Sequence, residues 1–472
     1  MRVMLASRSV LVLILPLTLA AAAVGCAAAA PAGLPGSPAY ASPGAGAPMT
    51  VSAQRGATEE MSAPPPPVPG IAGGDRAPSP MTMETSAPTE RPMATVATPP
   101  QQSTIRAGEW DDNANYREFQ SWLASESSLK FHRVDIRDRR FLVVRDAQGK
   151  AVPRCRVVVR DEAQHETTLT TVASGRAILF PRAEGLQGST LSATASCAGT
   201  TASASFSLVD PDGVVDLKLP ASRQLAATPT VDIGFILDTT GSMSEEITAV
   251  KATLQRVASS LGGQNVHVRV GMVAFKDRGD EYVTRVFPMT TDLDSFQREV
   301  ASVSASGGGD TPESVNEGLH AAMTRLAWGQ DSIAQFAFLV GDAPPHLDYA
   351  QDFDYAAEMK DAAHRGIQIF TVAASGMDEQ GQAVWRQLAA YTDATNLFVL
   401  RGGAGPQSTG AGDPLSSCGG TQQSYSSGNL DGLILAKIRH ELHGVDRDPL
   451  KIPGAFRDEN AKPCNERFLA TD

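Results

Sequence analysis

The chain has 472 residues, enough for two or three domains, and 52 acidic against 40 basic side chains give a formal charge of -12. No Lys/Arg cluster breaks that balance, which argues against nucleic acid as a partner. Apart from many Ala, Pro and Gly residues the composition is ordinary.

Arg2 and Arg8 precede an apolar run over 10–23, and the small residues Val24 and Gly25 lead into Cys26. This is the plan of an export signal; the run is short and lacks a charged stop, so a transmembrane helix fits less well. Ala23-Val24-Gly25-Cys26 resembles the lipobox of bacterial lipoproteins, which implies that Cys26 is lipidated and opens the mature chain. Ala23 stands where that family usually has leucine, and a plain secretory signal stays open. Ala27, in place of an aspartate, leans toward the outer membrane, with the lipid as the sole membrane attachment. From 27 to about 105, Ala, Pro, Gly, Ser and Thr dominate. Such a stretch buries too little apolar surface to offset its chain entropy, which predicts a disordered tether.

Four cysteines remain, Cys155, Cys197, Cys418 and Cys464, and in an exported chain they predict two disulfides. Three pairings exist. Cys155 with Cys197 and Cys418 with Cys464 is the expected one, because each pair then stays on its own side of the central domain boundary. The spacing does not suit a zinc knuckle, and no Cys-x-x-Cys suggests redox chemistry.

Trp110 to Asn113 open a short helical pattern within 106–130, with Tyr116, Phe119, Trp122 and Leu123 on one face. It predicts a helix packed on a neighbouring domain, with Asp111 and Asp112 favourably placed at its N-terminus. Over 131–222 the period changes to short strands at 141–144, 155–159, 167–172, 177–180, 191–195, 202–208 and 214–219, separated by turn sequences. This predicts a small antiparallel β-sandwich. The segment 143–153 and Ser174-Gly175-Arg176-Ala177 resemble the carboxypeptidase regulatory-like or Cna-B type of domain, which implies a spacer.

The run from Val231 to Leu237 is apolar enough for a strand buried on both faces of a parallel sheet. Asp238, Thr240 and Ser242 then place one carboxylate and two hydroxyls in the turn, and Ile247, Val250, Leu254, Val257 and Leu261 mark a helix directly after. Ser242 and Glu245 also fit a capping box. Strands at 266–275 and 282–287 predict an antiparallel edge hairpin. A helix over 292–303, the loop Gly307 to Glu313 and a helix over 312–326 follow, with Thr311 a natural N-cap before Pro312. The strand 336–341 ends at Asp342, and a loop carries His346 and Asp348. Further strands at 367–373 and 397–400, helices ending near 366 and over 382–391, a long Gly/Ser-rich loop over 402–427 and a last helix capped by Asn429 complete an α/β alternation. His440-Glu441-Leu442-His443 is not H-E-x-x-H and reads as a solvated helix surface.

Asp238-x-Thr240-x-Ser242, Thr311 in its glycine-rich loop and Asp342 after a buried strand together resemble the von Willebrand factor type A (vWA) family over 228–442. The family usually has serine at Thr240, whose hydroxyl is kept. The resemblance implies a doubly wound, mostly parallel six-stranded sheet of Rossmann-like form, followed by a tail over 443–472. It also implies a metal-ion-dependent adhesion site made of Asp238, Thr240, Ser242, Thr311 and Asp342. An all-oxygen set suits a hard cation, Mg2+ first, with Mn2+ or Ca2+ as alternatives. Asp310 and His346 are candidate partner contacts.

The resemblance further implies a non-catalytic protein-binding module whose cation accepts an Asp or Glu of a protein partner, with no small-molecule substrate. Two other readings stand beside it. The cation can serve only to stabilise the loops of a structural envelope component. Alternatively, Asp238-Thr239-Thr240-Gly241-Ser242 with Gly341-Asp342 superficially resembles a haloacid-dehalogenase phosphotransferase. The chain lacks the second acid two positions after Asp238 that soluble phosphatases of that type have.

Overall fold

The computed structural model describes residues 106–210, 212–261, 266–374, 376–400 and 426–452. The expected signal peptide with Cys26, the tether, Cys418 and Cys464 lie outside the described residues. The first elements are β1 (Arg106–Trp110) and α1 (Tyr116–Ser125). Seven strands follow: β2 (Arg139–Arg145), β3 (Arg156–Arg160), β4 (Glu166–Thr170), β5 (Arg176–Leu179), β6 (Thr190–Cys197), β7 (Thr200–Ser207) and β8 (Asp212–Lys218). The chain continues through β9 (Thr230–Asp238), α2 (Ile247–Leu261), β10 (His267–Phe275), β11 (Thr284–Thr290), α3 (Leu293–Ser302), α4 (Val315–Arg325) and β12 (Ser332–Gly341). Last come α5 (Tyr355–Arg365), β13 (Ile367–Ala373), α6 (Glu379–Tyr391), β14 (Asn396–Leu400), β15 (Ser426–Asn429) and α7 (Leu430–His443).

β9 is buried from Val231 to Asp238 because both of its faces find an apolar layer. Val231, Ile233, Phe235 and Leu237 pack with α2, α3 and α7, whereas Ile236 joins the opposite layer with α4, α5 and α6. The main sheet is therefore doubly wound, in the order β11-β10-β9-β12-β13-β14-β1-β15. The five strands from β10 to β14 run parallel, and β11 returns antiparallel on β10 as the expected edge hairpin.

The sheet has eight strands among the described residues instead of the expected six. The added strands are β1 and β15: β1 pairs antiparallel with β14 on one side and with β15 on the other. Arg-Ala-Gly-Glu-Trp carries no alternating apolar signal, so its extended form is decided by two partners far along the chain. Trp110, expected to open a helix, ends this strand and lies 4.4 Å from the ring of Phe398, and the helix begins at Tyr116. Among the described residues no helix is long and apolar enough to cross a membrane.

The strands β2–β8 lie in the chain between β1 and β9, two strands of one sheet, and are thus an insertion into it. They form a three-stranded sheet, β5-β2-β8, and a four-stranded sheet, β4-β3-β6-β7, around a shared core that includes Leu142, Val144, Val157, Leu169, Leu191 and Leu217. Pairing is antiparallel except between β2 and β8, which run parallel because β8 enters from the other sheet. Cys155 and Cys197 are joined by a disulfide. Both parities of β2 are buried: Leu142 and Val144 face the small core, while Phe141 and Val143 join Tyr116, Phe119 and Tyr391 in the layer beneath the main sheet.

Buried ion pairs hold each of these parts, and one joins the two. Arg386 of α6 donates to Asp112 at 2.8 Å and lies 4.0 Å over the Trp122 ring, and Arg139 of β2 grips Asp212 at 3.0 and 2.7 Å. Glu184 accepts from Thr167 and Tyr391 and pairs with His364 of α5, at 2.8, 2.5 and 2.8 Å. Lys437 of α7 pairs with Glu109 of β1.

Taking one partner from such a buried pair leaves a desolvated charge behind. Asp112→Ala should therefore cost about 3–5 kcal/mol of stability, read from chemical denaturation. A second test concerns Asp111, whose carboxyl burial pushes from 3.8 up to about 6 against the pull of Lys437. The folded chain binds this proton more tightly than the unfolded one, so the contribution is full below about pH 4 and is lost as pH rises through about 6. Asp111→Asn keeps an acceptor for the Ala114 N–H and should lose less stability than the wild type between pH 4 and pH 8.

Candidate functional site

Asp238 ends β9 and Asp342 follows β12, its parallel neighbour, so both stand at the carboxyl ends of the strands, the usual ligand crevice of an open α/β fold. Gly341 permits their approach: a Cβ there would stand 3.2 Å from both Cβ and Oδ2 of Asp238. The turn after β9 is fixed by Thr239, whose N–H and hydroxyl both donate to the Phe275 carbonyl, at 2.9 and 2.7 Å. Asp238 Oδ1 accepts from the Thr240 N–H at 2.9 Å and from its hydroxyl at 2.7 Å. Thr240 Oγ1 lies 3.1 Å from Ser242 Oγ, and Ser242 donates to Asp342 Oδ1 at 3.0 Å. These four residues form one chain of contacts. The capping-box alternative for Ser242 fails, because Ser242 sits inside the 3-10 turn Gly241–Glu245 and spends its hydroxyl on Asp342.

The glycine-rich loop packs on this turn. Gly241 donates to the Gly307 carbonyl at 2.8 Å and Ser306 donates to the Thr239 carbonyl at 3.1 Å. Lys276, buried at the end of β10, clamps both segments through the Thr239 carbonyl at 2.8 Å and Ser306 Oγ at 2.9 Å. Asp280 accepts from Gly308 N–H at 2.8 Å.

Thr311, expected in the cluster, is exposed, as is Asp310. Among the described residues no hydrogen bond joins Thr311 to the other four. Nor does it cap a helix: α4 starts at Val315 behind Ser314, because Glu313 is drawn into backbone bonds with the loop after β12. Glu313 N–H donates to the Pro344 carbonyl at 3.0 Å, and its own carbonyl accepts from His346 at 3.2 Å. The side chain that this loop buries is Glu313. Its Oε1 lies 2.7 Å from where a Gly308 Cβ would stand, and that same point is 3.0 Å from Thr240 Cβ. Gly308, at φ +63°, is required twice over: for the left-handed turn and for the room.

His346, the other candidate partner contact, is buried at 2% exposure and is not presented to a partner. It stacks 3.8 Å from the Tyr349 ring, with Nδ1 2.7 Å from Asp348 and Nε2 3.4 Å from Asp277. Tyr349 and Ser314 also donate to Asp277, at 3.0 and 2.9 Å. Lys276, Asp277, Asp280 and Glu313 are thus site-supporting residues that motif reading missed; an acid two residues after Thr311 was the sole signal in the sequence.

The electrostatics are those of crowded, buried acids. Burial first, then Asp342, pushes Asp238 up to about 7. Asp342 rises to about 6 mainly through burial, although the Ser242 hydrogen bond lowers it. Burial, then Asp238 and Asp277, take Glu313 up to about 8. Asp238 Oδ2 and Glu313 Oε2 are buried without a hydrogen-bond partner. No group of three or more His, Cys, Asp or Glu is arranged to hold a metal among the described residues. A cation here would rest on two aspartates and the hydroxyls of Thr240 and Ser242, an all-oxygen set fitting a hard divalent ion.

Residues 232–397 match the von Willebrand factor A domain family model. The chain is similar to von Willebrand factor A domain-containing protein 7 of Rattus norvegicus, 40% identical over 103 residues, which are 22% of this chain and 11% of that protein. It thus spans about a tenth of the length of the curated relatives it matches. Similar solved structures include proximal thread matrix protein 1 from the mussel byssus (14% identity, TM-score 0.29, 36% of this chain and 41% of that one). Another is an aerotolerance-related membrane protein from Bacteroides fragilis (17% identity, TM-score 0.27, 36% and 90%). With the doubly wound sheet and the turn chemistry after β9, the family match establishes that this chain carries a von Willebrand factor A domain.

Proposed function

We propose that the vWA domain captures a protein partner through a divalent cation, Mg2+ with Mn2+ or Ca2+ as alternatives, held by Asp238, Thr240, Ser242 and Asp342. The observation that carries this reading is Asp238 Oδ2, a fully buried carboxylate oxygen with no hydrogen-bond partner, in a cluster of oxygen side chains. Such an atom is costly unless something positive meets it. When bound, the cation supplies a Lewis-acid position that an Asp or Glu of the partner completes.

The chain's own residues set the terms of that contact. Asp238 and Asp342 balance a double positive charge, and the two hydroxyls add ligand atoms without adding charge. Asp310 and Thr311, exposed in the glycine-rich loop, are in this reading the side chains offered to the partner. Lys276 and Asp280 keep the two loops in register, so the ligand oxygens are positioned before either ion or partner is present.

The leader over 1–26 supports anchoring in a bacterial envelope through lipid on Cys26, with 27–105 as reach. The inserted sandwich, of carboxypeptidase regulatory-like or Cna-B type, serves in this reading as a mount for the vWA domain.

A crosslinking pull-down from envelope fractions tests the proposal. Partner recovery in Mg2+ should fall about tenfold or more in Asp342→Ala, and chelator should do the same to the wild type. Unchanged recovery together with a lowered melting temperature would assign the cation to loop stability alone.

A further inference from the structure

We infer that the chain has a second binding site, for a small organic amine, at the end of the main sheet opposite Asp238. β14 starts at Asn396, and β1, which runs antiparallel to it, ends at Trp110, the register partner of Asn396. The residues just outside those two ends therefore meet at the amino ends of the parallel strands, where the start of β5 and the end of α7 also arrive. Together they enclose a cavity of about 360 Å³, within the roughly 300–1,000 Å³ of small-molecule sites. Residues next to β1, in the insertion and on α7 all contribute, so the cavity belongs to this arrangement of parts and not to the parallel strands alone.

Acceptors dominate its inner wall. Asp111, Asp393 and Glu441 line it, and Lys437, whose charge reaches Asp111, is paired with Glu109. Burial raises Asp393 and Glu441 above the usual carboxylate range, although Arg176 lowers both. In the same wall Asn113 Oδ1 and Thr395 Oγ1 are buried without a hydrogen-bond partner, on residues 9% and 6% exposed. Asn113 gives its amide N–H to the Ala394 carbonyl at 3.4 Å, so its oxygen is the atom in want of a donor. Protons on the acids would settle their charge but would not supply that donor. Among the described residues no three acids converge as a metal site does. The group that suits them is wider than a bare ion: an ammonium, with N–H bonds in several directions. Ala114, Phe141, Ala394 and Ile452 offer apolar surface to the carbon chain that carries it. Arg447, Asp448 and Lys451 line the exposed side, where Arg447 meets His440 at 2.8 Å. Burial, then Lys437 and Arg447, hold His440 down to about 4, so it adds no charge at neutral pH. Arg176 thus stands against three acids in the inner wall.

The test titrates the full chain by calorimetry at neutral pH and in chelator, with the alkyl diamine cadaverine and with acetate as an anionic counterpart. Cadaverine should bind saturably and acetate should not. Asp393→Asn and Glu441→Gln each remove a charge at nearly constant shape, and each should weaken cadaverine binding about tenfold or more. Thr395→Val removes an oxygen that meets no partner in the chain. It should weaken binding severalfold while melting no lower than the wild type without ligand. Uptake of acetate in place of cadaverine, uptake of neither, or variants that melt as the wild type does and bind cadaverine as tightly would each overturn the inference.

Discussion

The carboxylate of Asp238 is wholly buried at the end of the central strand, and the architecture around it answers that single cost. A buried carboxylate must be met by hydrogen bonds, by a counter-charge, or by a proton. Thr240 supplies two hydrogen bonds to one oxygen. The other oxygen meets none, and glycine at 341, just before Asp342, lets the next strand close up on it. The neighbouring loops are then stitched to the turn through Lys276 and Asp280 rather than left free. Stability has been spent on positioning oxygens, as in sites that bind something the bare chain does not supply.

The second constraint is topological. The main sheet takes β1 between β14 and β15, and the chain leaves β1 to build a complete sandwich before it returns as β9. The insertion is thereby tied to the vWA domain at both ends and by the contacts of Glu184 with His364 and Tyr391 and of Arg154 with the Arg365 carbonyl. A module attached by a single linker would turn freely; one held by two crossings and a shared apolar layer does not. The orientation of the cluster relative to the sandwich is thus a property of the fold.

Much of this was legible in the residues. The all-apolar run of β9, the 3.6-residue spacing of α2 and the abrupt Asp-x-Thr-x-Ser turn declare strand, helix and crevice locally, since each depends on neighbours within a few positions. Asp342 was legible for the same reason, as the first acid after a buried strand. Contact between Ser242 and Asp342 needs the parallel pairing of β9 with β12, which both sequences permit but neither states.

What tertiary structure decided were the elements with no periodic signal and the side chains whose partners are remote. β1 is extended because β14 and β15 flank it, not because Arg-Ala-Gly-Glu-Trp prefers extension. His346 is buried because Tyr349, Asp348 and the distant Asp277 enclose it. Glu313 rather than Thr311 is drawn inward because backbone bonds to Pro344 and His346 turn the loop that way. The local periods and the oxygen-rich turn follow from the order of residues alone, because they are short-range matters of sterics and hydrophobicity. The choice between two side chains of one loop, like the pairing of unpatterned segments, is made by contacts that exist only once the sheet has assembled.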